Sequence, residues 1–91
     1  MTSRHATAEK AIANRQPFRT PSIHAIAGKV YSTGKLPNDW AGKYAFDDVA
    51  YTVLSYDTPI GWVTKGGEKV IPNVRYSETT TQHQYIVKVN L

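Results

Sequence analysis

Apolar positions near the start of the chain recur with a helical spacing. Ala8, Ala11 and Ile12 lie three and four residues apart, which would place them on one face of a helix over residues 7–15. This apolar face is thin, and a helix of that length is marginal unless it docks on another element. The pattern predicts that residues 1–20 form a short helix or a mobile arm.

The clearest strand pattern lies in the middle of the chain, over residues 44–56. Tyr51 and Val53 alternate there with Thr52 and Leu54, and nearly every residue of the segment favours β-structure. Because apolar side chains would occur on both faces of this strand, we expect it to lie at the centre of a sheet.

The segments before this strand are interpreted from their turn-forming and β-branched residues. Residues 22–31 allow a helix between Pro21 and Gly28, but their β-branched content favours a strand, which is our interpretation. Glycine, proline and asparagine then predict a loop over residues 32–43. Trp40, inside that loop, is expected to plug the edge of the core.

Two turns are expected to frame the next strand. Asp57-Thr58-Pro59 predicts the first turn, because aspartate bonds to its own backbone and proline cannot donate to a sheet ladder. Gly66-Gly67 predicts the second turn, the two-residue connection of a β-hairpin. The predicted pairs across this hairpin are Lys65 with Glu68, Val63 with Val70, and Trp62 with Ile71.

The C-terminal segment carries two conflicting signals. Thr81 and Gln84 have the spacing of a capping box, which would start a helix. Tyr85 and Val87, however, begin an alternating pattern rich in β-branched and aromatic residues. We interpret residues 81–91 as a strand.

These elements together predict an α+β fold. We expect a small antiparallel β-sheet of about four to five strands, with a short N-terminal helix. At 91 residues the chain has the size of one domain, residues 1–91, whose β-rich core would span residues 22–91.

Charge is distributed unevenly along the chain. Residues 1–43 contain seven basic and two acidic residues, whereas residues 44–91 contain four basic and five acidic residues. A basic half in a chain of net charge +4 suggests a polyanionic partner. The sequence shows neither a signal-type apolar run near its start nor an apolar window of membrane-spanning length. We therefore expect a cytoplasmic protein with no membrane partner.

Two sequence motifs carry a resemblance to a known group of proteins. They are Ser55-Tyr56-x-Thr58-Pro59-Ile60-x-Trp62 and Tyr76-Ser77-x-Thr79-Thr80-x-x-His83-Gln84. In these motifs, over residues 51–84, the chain resembles a family of small uncharacterised proteins encoded by bacteriophages and mobile elements. The resemblance implies a phage or mobile-element origin and action inside a bacterial host cell, but no particular chemistry.

Candidate catalytic and metal-binding residues are sparse. His5, His24 and His83 lie far apart in the sequence, whereas metal sites usually have at least two closely spaced ligands. The chain has no cysteine, and Ser77 lacks the glycines of a nucleophile elbow. Gly66-Gly67 is too short to cradle a nucleotide phosphate. We therefore predict a non-enzymatic protein with no metal site and no cofactor.

The binding chemistry is expected to combine cations, aromatic rings and an uncharged polar block over residues 76–84. Aromatic side chains stack on bases while cations contact phosphates. The hydroxyl and amide groups of the block can satisfy many polar partners, and the hairpin would hold the block outward. Tyr51, Trp62 and Phe46 are assigned to the core. The predicted binding residues are Arg15, Arg19, Lys29, Lys65, Lys69, Arg75, Tyr76, Thr79, Thr80, Gln82, His83 and Gln84.

Two functions from different classes remain open. The first hypothesis is a small binding protein that contacts nucleic acid through a basic and aromatic face. The alternative is a protein-directed inhibitor of a host enzyme or defence complex, of the anti-CRISPR type, with the polar block at the rim of its interface. In either case an exposed sheet edge beside the hairpin could pair two copies into a homodimer.

Overall fold

The computed structural model describes residues 4–74, 76 and 78–91 of the chain. The helices and strands of these residues are, in chain order, α1 (Arg4–Ala13), β1 (Phe18–Arg19), β2 (Ile23–Ala27), α2 (Asn38–Phe46), β3 (Val49–Ser55), β4 (Thr58–Thr64), β5 (Lys69–Val70) and α3 (Glu78–Asn90). The five strands form one antiparallel sheet in the order β1-β2-β3-β4-β5. The expected α+β fold with a short N-terminal helix is therefore confirmed.

The central position of β3 is also confirmed. It pairs with β2 on one side and with β4 on the other, and its side chains from Tyr51 to Ser55 are all buried. A register shift inserts one extra residue into β4, so that Ile60 and Gly61 together oppose Val53. Because the two residues of such a bulge face the same side, Ile60 and Val53 belong to the same apolar cluster.

Helices α1 and α3 cover one face of the sheet. Ala8 and Ile12 of α1 have no exposed surface and pack in a cluster with Val87 of α3 and Val53 of β3. The N-terminal helix is therefore docked on the core. Gly61 lets α3 approach β4 closely, because a Cβ atom at this position would lie 2.6 Å from Cγ1 of Val87.

Helix α2 lies on the opposite face of the sheet, against Trp62. The ring of Tyr44 meets the fully buried Trp62 ring edge-on, with 4.9 Å between centroids. Nε1 of Trp62 donates a hydrogen bond of 3.0 Å to Oδ2 of Asp47, and this bond is the main cause that lowers the pKa of the Asp47 carboxyl. The Tyr44 hydroxyl accepts from the Val30 amide at 2.8 Å and lies 2.9 Å from Oγ1 of Thr52.

The expected loop over residues 32–43, and the expected start of a strand at residue 44, are wrong where α2 forms. The first turn of α2 is closed by a 2.8 Å hydrogen bond from the Ala41 amide to the Pro37 carbonyl. Proline, asparagine and aspartate occur in the first turn of a helix as well as in loops. Residue composition alone therefore does not distinguish a loop from the start of a helix here. Trp40 does pack at the edge of the core, but from within a helix.

Phe46 is a second correction in α2. The ring was expected in the core, yet it is 90% exposed. Successive helix positions turn by about 100°, so a residue two positions after the buried Tyr44 points to the opposite side.

The turn between β3 and β4 comes earlier than expected. Ser55 pairs with Thr58, so the turn consists of Tyr56 and Asp57, and Pro59 lies inside β4 opposite Leu54. Proline is tolerated at this position because β5 pairs only with Trp62 and Val63, farther along β4. Within the part of the chain that the structure describes, no strand beside Pro59 on that side therefore needs its missing N–H group.

The β4–β5 hairpin exists, but its register is shifted by one residue from the prediction. The Thr64 amide donates to the Glu68 carbonyl at 2.9 Å, so the loop contains three residues rather than two. Gly67, the last of these, adopts the positive φ of 93° that such loops require. The observed pairs are Trp62 with Val70 and Val63 with Lys69.

The C-terminal strand predicted over residues 81–91 is wrong, because α3 continues to residue 90. Thr80, His83 and Val87 are buried at spacings of three and four residues and form the inner stripe of this helix. The alternation of β-branched residues that suggested a strand is overridden by packing against the sheet.

Candidate functional site

A cavity of about 400 Å³ opens between the β3–β4 turn and the start of α3. Its volume falls in the range of small-ligand sites, about 300–1,000 Å³. We call it the turn cavity, and its lining residues are Lys35, Ser55, Tyr56, Asp57, Thr58, Tyr76 and Thr80.

The turn that forms one wall of this cavity is strained. Tyr56 has a φ of 57°, in the left-handed region that a bulky side chain adopts at a cost of about 1–2 kcal/mol. The Tyr56 ring remains 54% exposed, and its centroid lies 6.2 Å from that of His83. An aromatic surface is therefore available at the mouth of the cavity.

A second wall comes from the segment before α2, which docks on the same turn. Gly34 approaches so closely that an added Cβ would collide with Oγ1 of Thr58 and the carbonyl oxygen of Asp57. The Lys35 amide donates to Oγ1 of Thr58 at 2.9 Å, and that hydroxyl donates to Oδ1 of Asp57 at 3.3 Å. These contacts fix the backbone of Lys35 and the carboxylate of Asp57 at one cavity.

The third wall is the inner face of α3. Oγ of Ser55 lies 2.7 Å from Nδ1 of His83 and 3.1 Å from Oγ1 of Thr80. All three side chains are buried, with at most 6% of their surface exposed. These hydrogen bonds join α3 to the central strand beneath the cavity.

The side-chain hydroxyl of Tyr76 differs from the other buried polar groups of the described residues. It is buried, and no hydrogen-bond partner for it is found in the part of the chain that the structure describes. Burial raises the pKa of this hydroxyl above its ordinary value. Buried polar groups are normally satisfied, so this hydroxyl, on a residue that lines the cavity, is a candidate for a ligand contact.

The predicted basic residues that the structure describes are spread over several elements. Arg19 on β1 and Lys69 on β5 lie at opposite edges of the sheet, roughly 19 Å apart by strand spacing. Lys65 pairs with Asp48 at 3.3 Å, and Nζ of Lys29 donates to the Ala45 carbonyl at 2.8 Å. Lys29 and Lys65 therefore each contact other groups of the chain, while Arg19 and Lys69 lie at the two edges of the sheet.

Arg15 and Arg75 are the two other predicted cations. Arg15 is exposed just after α1, with a φ of 54°. Arg75 lies outside the described residues.

The polar block is helical and divided between surface and interior. Thr79 and Gln82 are exposed on α3, as expected for a recognition surface. Thr80 and His83 are buried, so the expectation that the whole block is held outward is wrong for these two residues. Gln84 is half-buried and donates to the Val74 carbonyl at 2.7 Å, which ties the segment before α3 to the helix.

The two sequence motifs meet at the turn cavity. The first motif supplies Ser55, Tyr56 and Thr58, and the second supplies Tyr76 and Thr80. Apart from Tyr76 and Thr80, the lining residues were not predicted as binding residues. Membership of the first motif was the available signal for three of them, whereas nothing in the sequence pointed to Lys35.

Several apolar side chains outside this cavity are exposed. Tyr85 and Val89 of α3 are 68% and 61% exposed, and Tyr31 is fully exposed. No described helix combines the length and apolar character that crossing a membrane requires.

Comparison with known proteins gives a family but no function. No curated protein and no solved structure matches the chain. A family model described as "Family of unknown function (DUF8033)" matches residues 9–88, a range that includes every residue lining the turn cavity. The chain therefore belongs to this family of unknown function, DUF8033.

Proposed function

We propose that this chain is a non-enzymatic nucleic-acid-binding protein whose turn cavity receives one nucleotide of a single strand. The observation that carries the proposal is that three residues line one cavity: Tyr56 with its exposed ring, Lys35, and Tyr76, whose buried hydroxyl has no partner among the described residues. A phage or mobile-element origin, which the two motifs imply, is part of the same proposal.

Each group has a counterpart in a nucleotide. An exposed aromatic ring stacks on a base and contributes about 1–3 kcal/mol per base. Lys35 would contact a phosphate, and the Tyr76 hydroxyl would donate to a sugar or phosphate oxygen. A paired base inside a duplex cannot enter a cavity of this size, so the proposal favours single strands.

The net charge of +4 supports this assignment by attracting a polyanion at long range. Asp57 also lines the cavity, so a negative side chain lies there beside the positive Lys35. The bound base must therefore make favourable contacts with that carboxylate.

Fluorescence anisotropy with a labelled single strand of about twelve nucleotides tests the proposal, with the matching duplex as comparison. We expect tighter binding of the single strand, and weaker binding as salt rises from about 25 to about 200 mM. Lys35→Gln should weaken binding about fivefold and Tyr56→Leu about tenfold.

Lys69→Gln is the matched control, because it removes the same charge from an exposed lysine on the edge strand β5. It should change the affinity by less than about twofold. Absence of single-strand binding at low salt, or equal losses for the two lysine variants, would overturn the proposal.

A second candidate function has its own supporting observation. Tyr85 and Val89 lie four residues apart on α3 and are largely exposed, and aromatic side chains are enriched in protein interfaces. They favour the alternative of a protein-directed inhibitor of a host complex. A partner that is retained from nuclease-treated host lysate, and is lost with the variant Tyr85→Ser/Val89→Ser, would support that alternative.

A further inference from the structure

Lys35 and Asp57 line the turn cavity with opposite charges, yet no ion pair joins these two described residues. Thr58 contacts both residues, because its hydroxyl accepts from the backbone amide of Lys35 and donates to Oδ1 of Asp57. A ligand that fits between them has to offer an anionic group to the lysine and hydrogen-bond donors to the carboxylate.

We infer that the turn cavity selects guanine among the bases of a single strand, an inference that rests on the proposed function. The Watson–Crick edge of guanine carries two adjacent donors, N1–H and the N2 amino group, and an ionised carboxylate offers two acceptor oxygens. Adenine, cytosine and thymine each place at least one acceptor beside their donor on that edge. The acceptor would face a carboxylate oxygen, which is repulsive.

The order of residues in the turn suits this arrangement. Tyr56 and Asp57 are neighbours in the turn and both line the cavity, so we place the base on the exposed Tyr56 ring with its edge toward the Asp57 carboxylate. The phosphate of the same nucleotide would then contact Lys35.

The experiment uses short labelled oligothymidylates in which the central base is guanine, hypoxanthine, adenine or cytosine. Hypoxanthine keeps the N1–H donor of guanine but lacks the N2 amino group, so it removes one of the two proposed hydrogen bonds. We expect guanine to bind about tenfold more tightly than adenine or cytosine, with hypoxanthine between them.

Asp57→Asn supplies the protein side of the test. Asparagine is tolerated in turns, and it replaces one acceptor by a donor. The ratio of guanine to adenine affinity should fall to about one or below, because an amide side chain pairs well with adenine. Asp39→Asn, an exposed aspartate in the first turn of α2, is the control and should keep the guanine preference.

The outcomes separate this inference from the proposed function. If all four oligonucleotides bind equally, guanine selection is overturned while nucleic-acid binding stands. If none binds, the proposed function fails as well. Displacement of the guanine oligonucleotide by free amino acids at low concentration would also overturn the inference, since a zwitterion could bridge the lysine and the aspartate instead.

Discussion

Oγ of Ser55 lies 2.7 Å from Nδ1 of His83, and this buried hydrogen bond joins the central strand to a helix 28 residues later in the chain. Ser55 ends β3 immediately before the turn that carries Tyr56. The contact therefore fixes α3 relative to that turn, and it determines the shape of the cavity between them.

Replacing Ser55 by alanine should destabilise the fold by about 1–3 kcal/mol, because the buried His83 nitrogen loses this partner. Urea unfolding followed by tryptophan fluorescence measures the change. Thr79→Ala is the control, since Thr79 is an exposed hydroxyl residue on the same helix and should cost less than about 0.5 kcal/mol. Equal costs for the two variants would contradict a stabilising role for the Ser55–His83 bond.

The close approach of α3 to β4 at Gly61 gives a second prediction. Gly61→Ala should destabilise the protein by about 1–3 kcal/mol, because the new Cβ would lie 2.6 Å from Cγ1 of Val87. In a double-mutant cycle, Val87→Ala should recover part of this loss, with a coupling of at least about 0.5 kcal/mol.

Gly42→Ala is the control for that experiment and should act in the opposite direction. A Cβ at Gly42 meets nothing within 4 Å, and the residue lies inside α2. Removing a glycine from a helix interior stabilises by roughly 0.5–1 kcal/mol. A neutral Gly61→Ala variant would show that α3 does not pack on β4 in this way.

Tyr76→Phe separates stability from binding. Removal of a buried hydroxyl that has no partner among the described residues should leave the stability of the free protein unchanged or raise it by about 1 kcal/mol. The same change should weaken single-strand binding about fivefold, because the ligand loses a donor. Thermal unfolding and anisotropy measure the two effects. A loss of stability without a loss of affinity would remove Tyr76 from the proposed site.

Ionisation of Tyr51 is expected to lower the stability of the fold at alkaline pH. Burial raises the pKa of Tyr51 to about 12, above its unfolded value of about 10. The folded state therefore favours the neutral phenol, and this contribution is present below about pH 10 and is lost as the pH rises towards 12.

Phenylalanine at position 51 provides the comparison for the Tyr51 prediction, although it also removes the 2.9 Å hydrogen bond to the Gln16 carbonyl. That hydrogen bond needs the phenolic proton, so the ionisation of Tyr51 in the wild type removes it as well. The advantage of the wild type over Tyr51→Phe in unfolding free energy should therefore shrink from about pH 9 to about pH 11. A constant difference over that range would contradict the prediction.

The elements that could be predicted from the sequence are those whose local pattern agrees with their packing. The strand around Tyr51 and Val53 alternates as a central strand should, and Ala8 and Ile12 share the inner face of α1. The α+β class follows from such elements. The C-terminal helix could not be predicted, because the segment around Val87 alternates as a strand does. Its helical conformation depends on packing against β4, where Val87 lies against Gly61.

The turn cavity could be predicted only in part, for a similar reason. Tyr76 and Thr80 were identified from the composition of the polar block. Lys35 reaches the cavity through a contact with Thr58, 23 residues later, and no local pattern encodes that contact. The burial of His83 depends on its contact with Ser55, 28 residues earlier in the chain. No local pattern shows that contact, so the sequence alone predicts His83 as part of a recognition surface.

Amide chemical-shift mapping with an unlabelled single strand tests the central claim most directly. The account predicts that the largest changes cluster at Lys35, at the turn of Tyr56 to Thr58, and at Thr80, while the edge-strand residues Arg19 and Lys69 change little. Changes centred on the sheet edges or on the exposed face of α3, with none at the turn, would contradict it.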